Sequence, residues 1–91
     1  MPNIEVLSLS FNKINQLQDL ASCSKLRELY MRKNLISDLR EIKYLVDCHN
    51  LKTLWLAENP CSSHKDYRLY IIKHLTFLER LDNDEVTAEE R

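Results

Sequence analysis

Apolar residues recur along this chain in a fixed spacing that is repeated three times. Ile4, Leu26 and Leu51 are equivalent starting points. Three positions on stand Leu7, Leu29 and Leu54, and five on stand Leu9, Met31 and Leu56. Asn12, Asn34 and Asn59 follow at eight, then Ile14, Ile36 and Cys61 at ten. The first two copies stay in step through Leu17 with Leu39, Leu20 with Ile42, and Cys23 with Leu45. The copies lie 22 and 25 residues apart, and the three extra residues of the longer one are assigned to the stretch 44–50. A partial fourth copy opens at Leu78, continues with Leu81 and Asp82, and lacks the Asn. Two apolar positions one residue apart predict a short strand, because successive side chains on a strand point to opposite faces. The Asn falls where the chain must turn sharply, and its amide can both donate to and accept from backbone groups left unpaired there.

This is the spacing of leucine-rich repeats. It predicts an α/β fold: a leucine-rich-repeat solenoid with a short parallel β-sheet on its concave face and a helical or 3-10 convex side. No single unit can bury its apolar side alone, so the units stack. The reading gives one domain over 1–91, with units starting near 4, 26 and 51 and a C-terminal cap over 62–91. Ser63 with Asp66 three residues on has the spacing of a capping box. Tyr67, Tyr70, Ile71, His74, Leu75 and Leu78 then fall on one helical face, which would seal the end of the core. Thr87 and Glu90 have the same box spacing just before the chain stops. At the other end Ile4 enters a strand almost at once, which leaves one sheet edge open. These two ends point to a piece of a longer protein, or to self-association through the N-terminal edge.

Composition narrows the chemistry. The chain has 91 residues, 44% hydrophobic and 30% charged, and no glycine. The phosphate-cradling loop, the dinucleotide fingerprint and the nucleophile elbow all need Gly where backbone crowds a ligand, so none is present. Thirteen basic and fourteen acidic side chains give a net charge of −1, which argues against nucleic acid as the partner. The longest apolar stretches fall far short of the roughly 20 residues that cross a bilayer. Three cysteines, an odd and widely spaced set, fit a reducing compartment, and no secretory leader pattern opens the chain.

Cys48-His49 and Cys61-x-x-His64 could in principle combine as zinc ligands. Cys61 and Cys23, however, sit at inward phases of the repeat, where a thiol serves as a small hydrophobe. Cys48, inside the longer copy, reads as exposed and as the thiol to test for reactivity. His49, His64 and His74 have no nucleophile and orienting acid at a useful spacing, so no enzyme activity, metal or cofactor is expected. Lys65, Arg68, Lys73, His74 and Arg80 make the cap locally basic, and the acids among them suit a solvated face.

The strand phase also sorts outward residues into rows. One row is Val6, Glu28, Thr53 and Arg80; the next is Ser8, Tyr30, Trp55 and Asp82. A third is Ser10, Arg32 and Ala57, flanked by Phe11, Lys33 and Glu58. Solenoids bind along such rows, and Trp, Tyr and Arg dominate interface hot spots. The candidate protein-binding residues are therefore Ser8, Phe11, Glu28, Tyr30, Arg32, Lys33, Thr53, Trp55, Glu58, Arg80 and Asp82. The competing reading is that Tyr30 and Trp55 stack across strands and merely shield the sheet.

The run Leu51-x-x-Leu54-Trp55-Leu56-Ala57-Glu58-Asn59-Pro60-Cys61 closely resembles the small cilia- and flagella-associated leucine-rich-repeat family. Tyr67-Arg68 and Leu78-x-x-Leu81-Asp82-x-x-x-Val86-Thr87-x-Glu89-Glu90 extend the likeness across the chain. The resemblance implies a non-enzymatic adaptor of basal bodies, involved in forming or maintaining cilia, in the cytoplasm. It also implies a NIMA-related kinase as partner, through a contact that can lie outside these residues. The cap alone, Asp66-Tyr67-Arg68-Leu69-Tyr70-Ile71-Ile72, also resembles the leucine-rich-repeat subunit of a nuclear ribonucleoprotein. That alternative would make the chain a protein- and RNA-binding scaffold of splicing.

Overall fold

A computed structural model describes residues 3–90. Among these residues five short strands form one sheet in the order β1-β2-β3-β4-β5. They are β1 (Val6–Ser8), β2 (Glu28–Tyr30), β3 (Thr53–Trp55), β4 (Arg80–Leu81) and β5 (Asp84–Glu85). The first four are parallel, and β5 folds back antiparallel on β4. Register follows the repeat: Leu7 opposes Leu29, Leu29 opposes Leu54, and Leu54 opposes Leu81. The other side is built from 3-10 turns, Gln18–Leu20, Leu39–Leu45 and Pro60–Ser63, and one α-helix, α1 (Tyr67–His74). Short 3-10 turns are what a coil of little more than twenty residues can fit between strands. The architecture is the leucine-rich-repeat solenoid expected from the spacing.

The core runs between the two sides. Leu29, Leu54 and Leu81 are wholly buried from the sheet, and Leu17, Ile42 and Leu45 from the turns and Ile72 from α1 join them in one cluster. The first coil is thinner: Ile4, Leu9 and Ile14 are only partly buried, whereas Met31 and Leu56, the equivalents of Leu9, are wholly buried.

The Asn ladder ties each coil to the one before it. Asn34 Nδ2 donates to the carbonyls of Met31 and Arg32 in its own coil and of Leu9 in the previous one, at 3.0, 3.3 and 2.9 Å. Its Oδ1 accepts from the Ile14 N–H at 3.1 Å. Asn59 repeats this on Leu56, Ala57, Met31 and the Ile36 N–H. Asn12 reaches no earlier coil among the described residues. It donates only to Leu9 and Ser10, and it is exposed.

Four expectations are corrected. Cys48 is wholly buried, not exposed, and its Sγ lies 3.7 Å from the Leu20 carbonyl. The reason is that each coil keeps step with the strand that follows it. Cys23, Cys48 and Leu75 each stand three residues before Leu26, Leu51 and Leu78, and each carbonyl accepts from that Leu N–H at 3.0–3.1 Å. The three extra residues therefore precede Cys48, and the lengthened 3-10 helix Leu39–Leu45 that absorbs them overlaps the stretch 44–50 only at its last two residues.

The Ser63 box does not form either. Ser63 Oγ donates to the Pro60 carbonyl, and α1 starts from Asp66 without a side-chain cap. Finally, α1 buries Tyr67, Ile71 and Ile72, while His74 is exposed and stacks on Tyr70 with ring centroids 4.2 Å apart. Leu75 and Leu78 are buried beyond its end.

The C-terminal turn is latched by charge. Arg68 grips the Glu90 carboxylate and donates to the Glu85 carbonyl at 2.8 Å, while Glu90 accepts from the Thr87 N–H at 3.0 Å. The Thr87–Glu90 box thus closes the 3-10 turn Ala88–Glu90. Hydrogen bonds from Arg68 first, and from the Thr87 backbone second, hold the Glu90 carboxyl down to about 2. A carboxyl depressed in the folded state stabilises it fully above its unfolded value and loses that contribution as protons bind. Stability should therefore fall as pH drops from about 4.5 towards 2. Melting temperatures measured across this window should show a shallower fall for Glu90→Gln than for the parent chain.

Candidate protein-binding face

Strand pairing places the outward rows side by side. Val6, Glu28, Thr53 and Arg80 form one paired row, and Ser8, Tyr30 and Trp55 the next. The coils stay bonded beyond the strands: the Leu9 N–H donates to Tyr30, Met31 to Trp55, Phe11 to Arg32 and Lys33 to Ala57. The backbone bonding that pairs the strands thereby continues through the third row, Ser10, Arg32 and Ala57.

Beyond the end of each of the four parallel strands the backbone turns through the left-handed region. Phe11, Lys33, Glu58 and Asp82 have φ of 61°, 57°, 62° and 57°. Such a conformation costs a residue with a Cβ roughly 1–2 kcal/mol, and the chain accepts that cost at all four places without one glycine. The geometry swings the flanking side chains onto the concave rim. Phe11 is 66% exposed, and Arg32 and Lys33 lie over its ring at 5.8 and 5.3 Å from the centroid. Glu58 takes Arg32 Nε, with Lys33 Nζ at 3.6 Å, and Arg32 chiefly holds its carboxyl below the usual range.

Ser8, Ser10, Phe11, Tyr30, Arg32 and Trp55 together line a shallow pocket of about 380 Å³. Tyr30 donates its hydroxyl to Glu28, which holds the phenol above its ordinary value. Trp55 points outward, half-buried, between the buried Leu54 and Leu56. The ring contacts among the described residues join His49 to Phe77 and Tyr70 to His74, with none between Tyr30 and Trp55. Cross-strand stacking is therefore not what positions the indole.

The eleven candidates do not form one site. Thr53 and Arg80 line a separate hollow of about 290 Å³ with Glu79, Glu85 and Val86. Asp82 departs further from its expected place in the outward row. The last coil turns three residues earlier than the others, so Asp82 takes both the left-handed position and the job of the ladder Asn. Its Oδ1 accepts from the Leu56 N–H at 2.8 Å, and its Oδ2 from the Tyr67 hydroxyl at 2.9 Å. Burial first, and the Asp82 carboxylate second, push the Tyr67 phenol far up. Asp82 is a tie rod between Leu56, just past β3, and α1.

One depression has no counterpart in the sequence reading. A groove of about 750 Å³ on the convex flank is lined by Asp38, Arg40, His64, Asp66 and Tyr70 among others. Arg40 closes on Asp38 with both Nε and Nη2, and His64 Nδ1 accepts from the Asp66 N–H. Only the coil packing brings these residues together, and no spacing signals it. Cys61, at its floor, is buried, which pushes its thiol up to about 11. Among the described residues no three His, Cys, Asp or Glu side chains are grouped to hold a metal ion.

The rim carries one trade-off. Phe11→Gly relieves the left-handed strain of roughly 1–2 kcal/mol and forfeits exposed cation–π contacts of about 0.5–1 kcal/mol. The variant should melt at or above the parent temperature while binding a concave-face partner at least tenfold more weakly. A thermal melt beside a binding titration reads both.

The leucine-rich repeat family model matches residues 1–91. Cilia- and flagella-associated protein 410 of Mus musculus is 47% identical over 92 residues, which cover 99% of this chain and 37% of that protein. Its Homo sapiens counterpart is 46% identical over 93 residues, covering 99% and 36%. The chain thus spans little more than a third of the length of these relatives. Among solved structures, a chain of the Drosophila melanogaster SNF/U2A' complex superposes with a TM-score of 0.89 at 25% identity, over 98% of this chain and 52% of that one. The Mex67 LRR domain of Chaetomium thermophilum gives a TM-score of 0.81 at 26% identity, over 96% and 62%. The likeness to the ciliary proteins read from the Trp55 run is therefore found across the whole chain. With the strand rows, the Asn ladder and the family model in agreement, this chain belongs to the leucine-rich-repeat family.

Proposed function

We propose that the chain is the protein-docking module of a cilium-associated adaptor and that it binds its partner on the concave face around Trp55. The observation that carries this is the half-buried indole, set beside Tyr30 and Arg32 on a hydrogen-bonded sheet with no ring among the described residues stacked on it. Rigid aromatic and Arg side chains facing solvent supply most of the binding energy in protein interfaces. The ciliary part of the reading rests on relatives named for cilia and flagella at 46–47% identity. A basal-body role in forming or maintaining cilia, and a NIMA-related kinase among the partners, follow from the same family resemblance.

The test is retention of a partner from ciliated-cell extract by the parent chain and by Trp55→Ala. Because Trp55 lies on the surface of a paired strand, the variant should fold and melt close to the parent yet lose at least tenfold in affinity. Retention unchanged within about 0.5 kcal/mol would make the patch structural. A tagged full-length protein should collect at basal bodies. The splicing-scaffold reading has the solved SNF/U2A' neighbour in its favour, at 25% identity. It would instead give nuclear speckles and co-purifying small nuclear RNA.

A further inference from the structure

The chemistry left unused in the Trp55 pocket says what kind of segment fills it. Its anionic neighbours are already engaged. Glu28 accepts from the Tyr30 hydroxyl, and Glu58 is shared by Arg32 Nε and the Lys33 ammonium. What remains towards solvent is mostly donors. The two terminal nitrogens of Arg32 have no partner among the described residues, since Glu58 takes only Nε. The Trp55 indole N–H also lacks a partner there. It is not sealed from water, because no buried side-chain nitrogen or oxygen among those residues goes unpaired. Ser8 and Ser10 add hydroxyls to the same lining, and Phe11, Tyr30 and Trp55 supply its apolar wall. Two cations, Arg32 and Lys33, share the single anion Glu58 at this end of the rows.

The pocket also has a direction. Arg32 and Lys33 lie past the C-terminal end of β2, whereas Glu28 begins that strand and stands on the far side of Tyr30. A carboxylate entering the pocket is attracted to the first end and repelled from the second.

Building on the concave-face reading above, we infer that the pocket takes an apolar side chain of a protein partner with an Asp or Glu beside it. The aliphatic or aromatic side chain sits against Tyr30, Trp55 and Phe11. The carboxylate lies on the terminal nitrogens of Arg32, in the geometry that makes guanidinium–carboxylate pairs directional. A basic segment would bring a third cation to Arg32 and Lys33. A purely apolar one would leave the Arg32 nitrogens and the indole N–H without acceptors where the partner covers them, which binding penalises.

The chain carries one tryptophan, so its emission reports this pocket alone. Random peptides displayed on phage are selected on the 91-residue chain, with the Trp55→Ala chain as counter-selection. The enriched sequences are synthesised with a fluorescent label and titrated by anisotropy on both chains, with Trp55 emission as a second readout on the parent. The expected result is an apolar residue with Asp or Glu adjacent. Exchanging that acid for Lys should weaken binding at least tenfold. Arg32→Gln, checked for an unchanged melt, should remove the preference for acid over amide, and Glu58→Gln should strengthen binding severalfold by freeing Arg32. Enriched sequences that are neutral or basic at that position would overturn the acidic–apolar assignment and leave concave-face docking standing. Peptides that bind the parent and Trp55→Ala chains alike would overturn both.

Discussion

Asn59→Ala should cost about 3–5 kcal/mol and lower the melting temperature by roughly 15 °C or more. The substitution removes the amide that donates to Met31, Leu56 and Ala57 and accepts from the Ile36 N–H. Asn59 is 3% exposed, so water cannot replace it on those groups. Each buried backbone group left unpaired costs about 1–3 kcal/mol, in a fold whose whole stability is about 5–15 kcal/mol. Asn59→Asp keeps the acceptor but sets a carboxylate against three carbonyls, so it should do no better. The exposed Asn12 gives the internal comparison: Asn12→Ala should cost under about 1 kcal/mol, because only a partly hydrated turn loses its bonds. Urea unfolding of the three variants measures the series, and equal losses at Asn12 and Asn59 would contradict the ladder.

Removing residues 64–91 should abolish cooperative folding. That segment carries Tyr67, Ile71, Ile72, Leu75, Leu78, Leu81 and Val86, all part of the buried core. At about 1.5–3 kcal/mol for each large apolar side chain, the loss matches or exceeds the stability of the whole domain, roughly 5–15 kcal/mol. It also exposes Leu54 and Leu56 and the edge of β3, a surface prone to pairing with other chains. The truncated chain should be recovered insoluble, or show no cooperative melt by circular dichroism. A milder pair separates packing from the hydroxyl. Tyr67→Ala should cost about 3–5 kcal/mol, whereas Tyr67→Phe, which only takes the donor from Asp82, should cost about 1–2 kcal/mol. If the two variants melted alike, the ring would not be part of the seal.

Much of this was legible from spacing alone, because a repeat fixes where each side chain lies in its coil. Leu29 opposite Leu54, the row of Ser8, Tyr30 and Trp55, and the double use of the Asn amide all follow from period and pleat. Legibility stopped where one coil differs from the others. The three extra residues could be absorbed anywhere between Ile36 and Leu51. Only backbone bonding shows that Cys48 keeps its distance from Leu51 while the 3-10 helix lengthens. Asp82 misled for the same reason: its phase matched Trp55, but the coil that folds back into the antiparallel β5 turns early, and the carboxylate took over the inward bonds. The cap start was misread because Ser63 found a nearer acceptor in Pro60. In the binding face, the rows were legible, whereas the gathering of Phe11 with Arg32 and Lys33 was not. It depends on left-handed turns at residues that carry no mark of them.

The ladder also imposes an order on the birth of the molecule. The amide of Asn34 completes the coil that precedes it, Asn59 completes the next, and Asp82 completes the third. A nascent chain leaves the ribosome in the opposite sense to this dependence, so every coil emerges before the side chain that finishes it. The last tie, between Asp82 and Tyr67, cannot be made until residue 82 has cleared the exit tunnel. Until then the leucines of the early coils have no lasting shelter. The vulnerable interval in the life of this protein is thus its synthesis, when a translational pause upstream of residue 82 would hold it open to chaperones and to neighbouring chains.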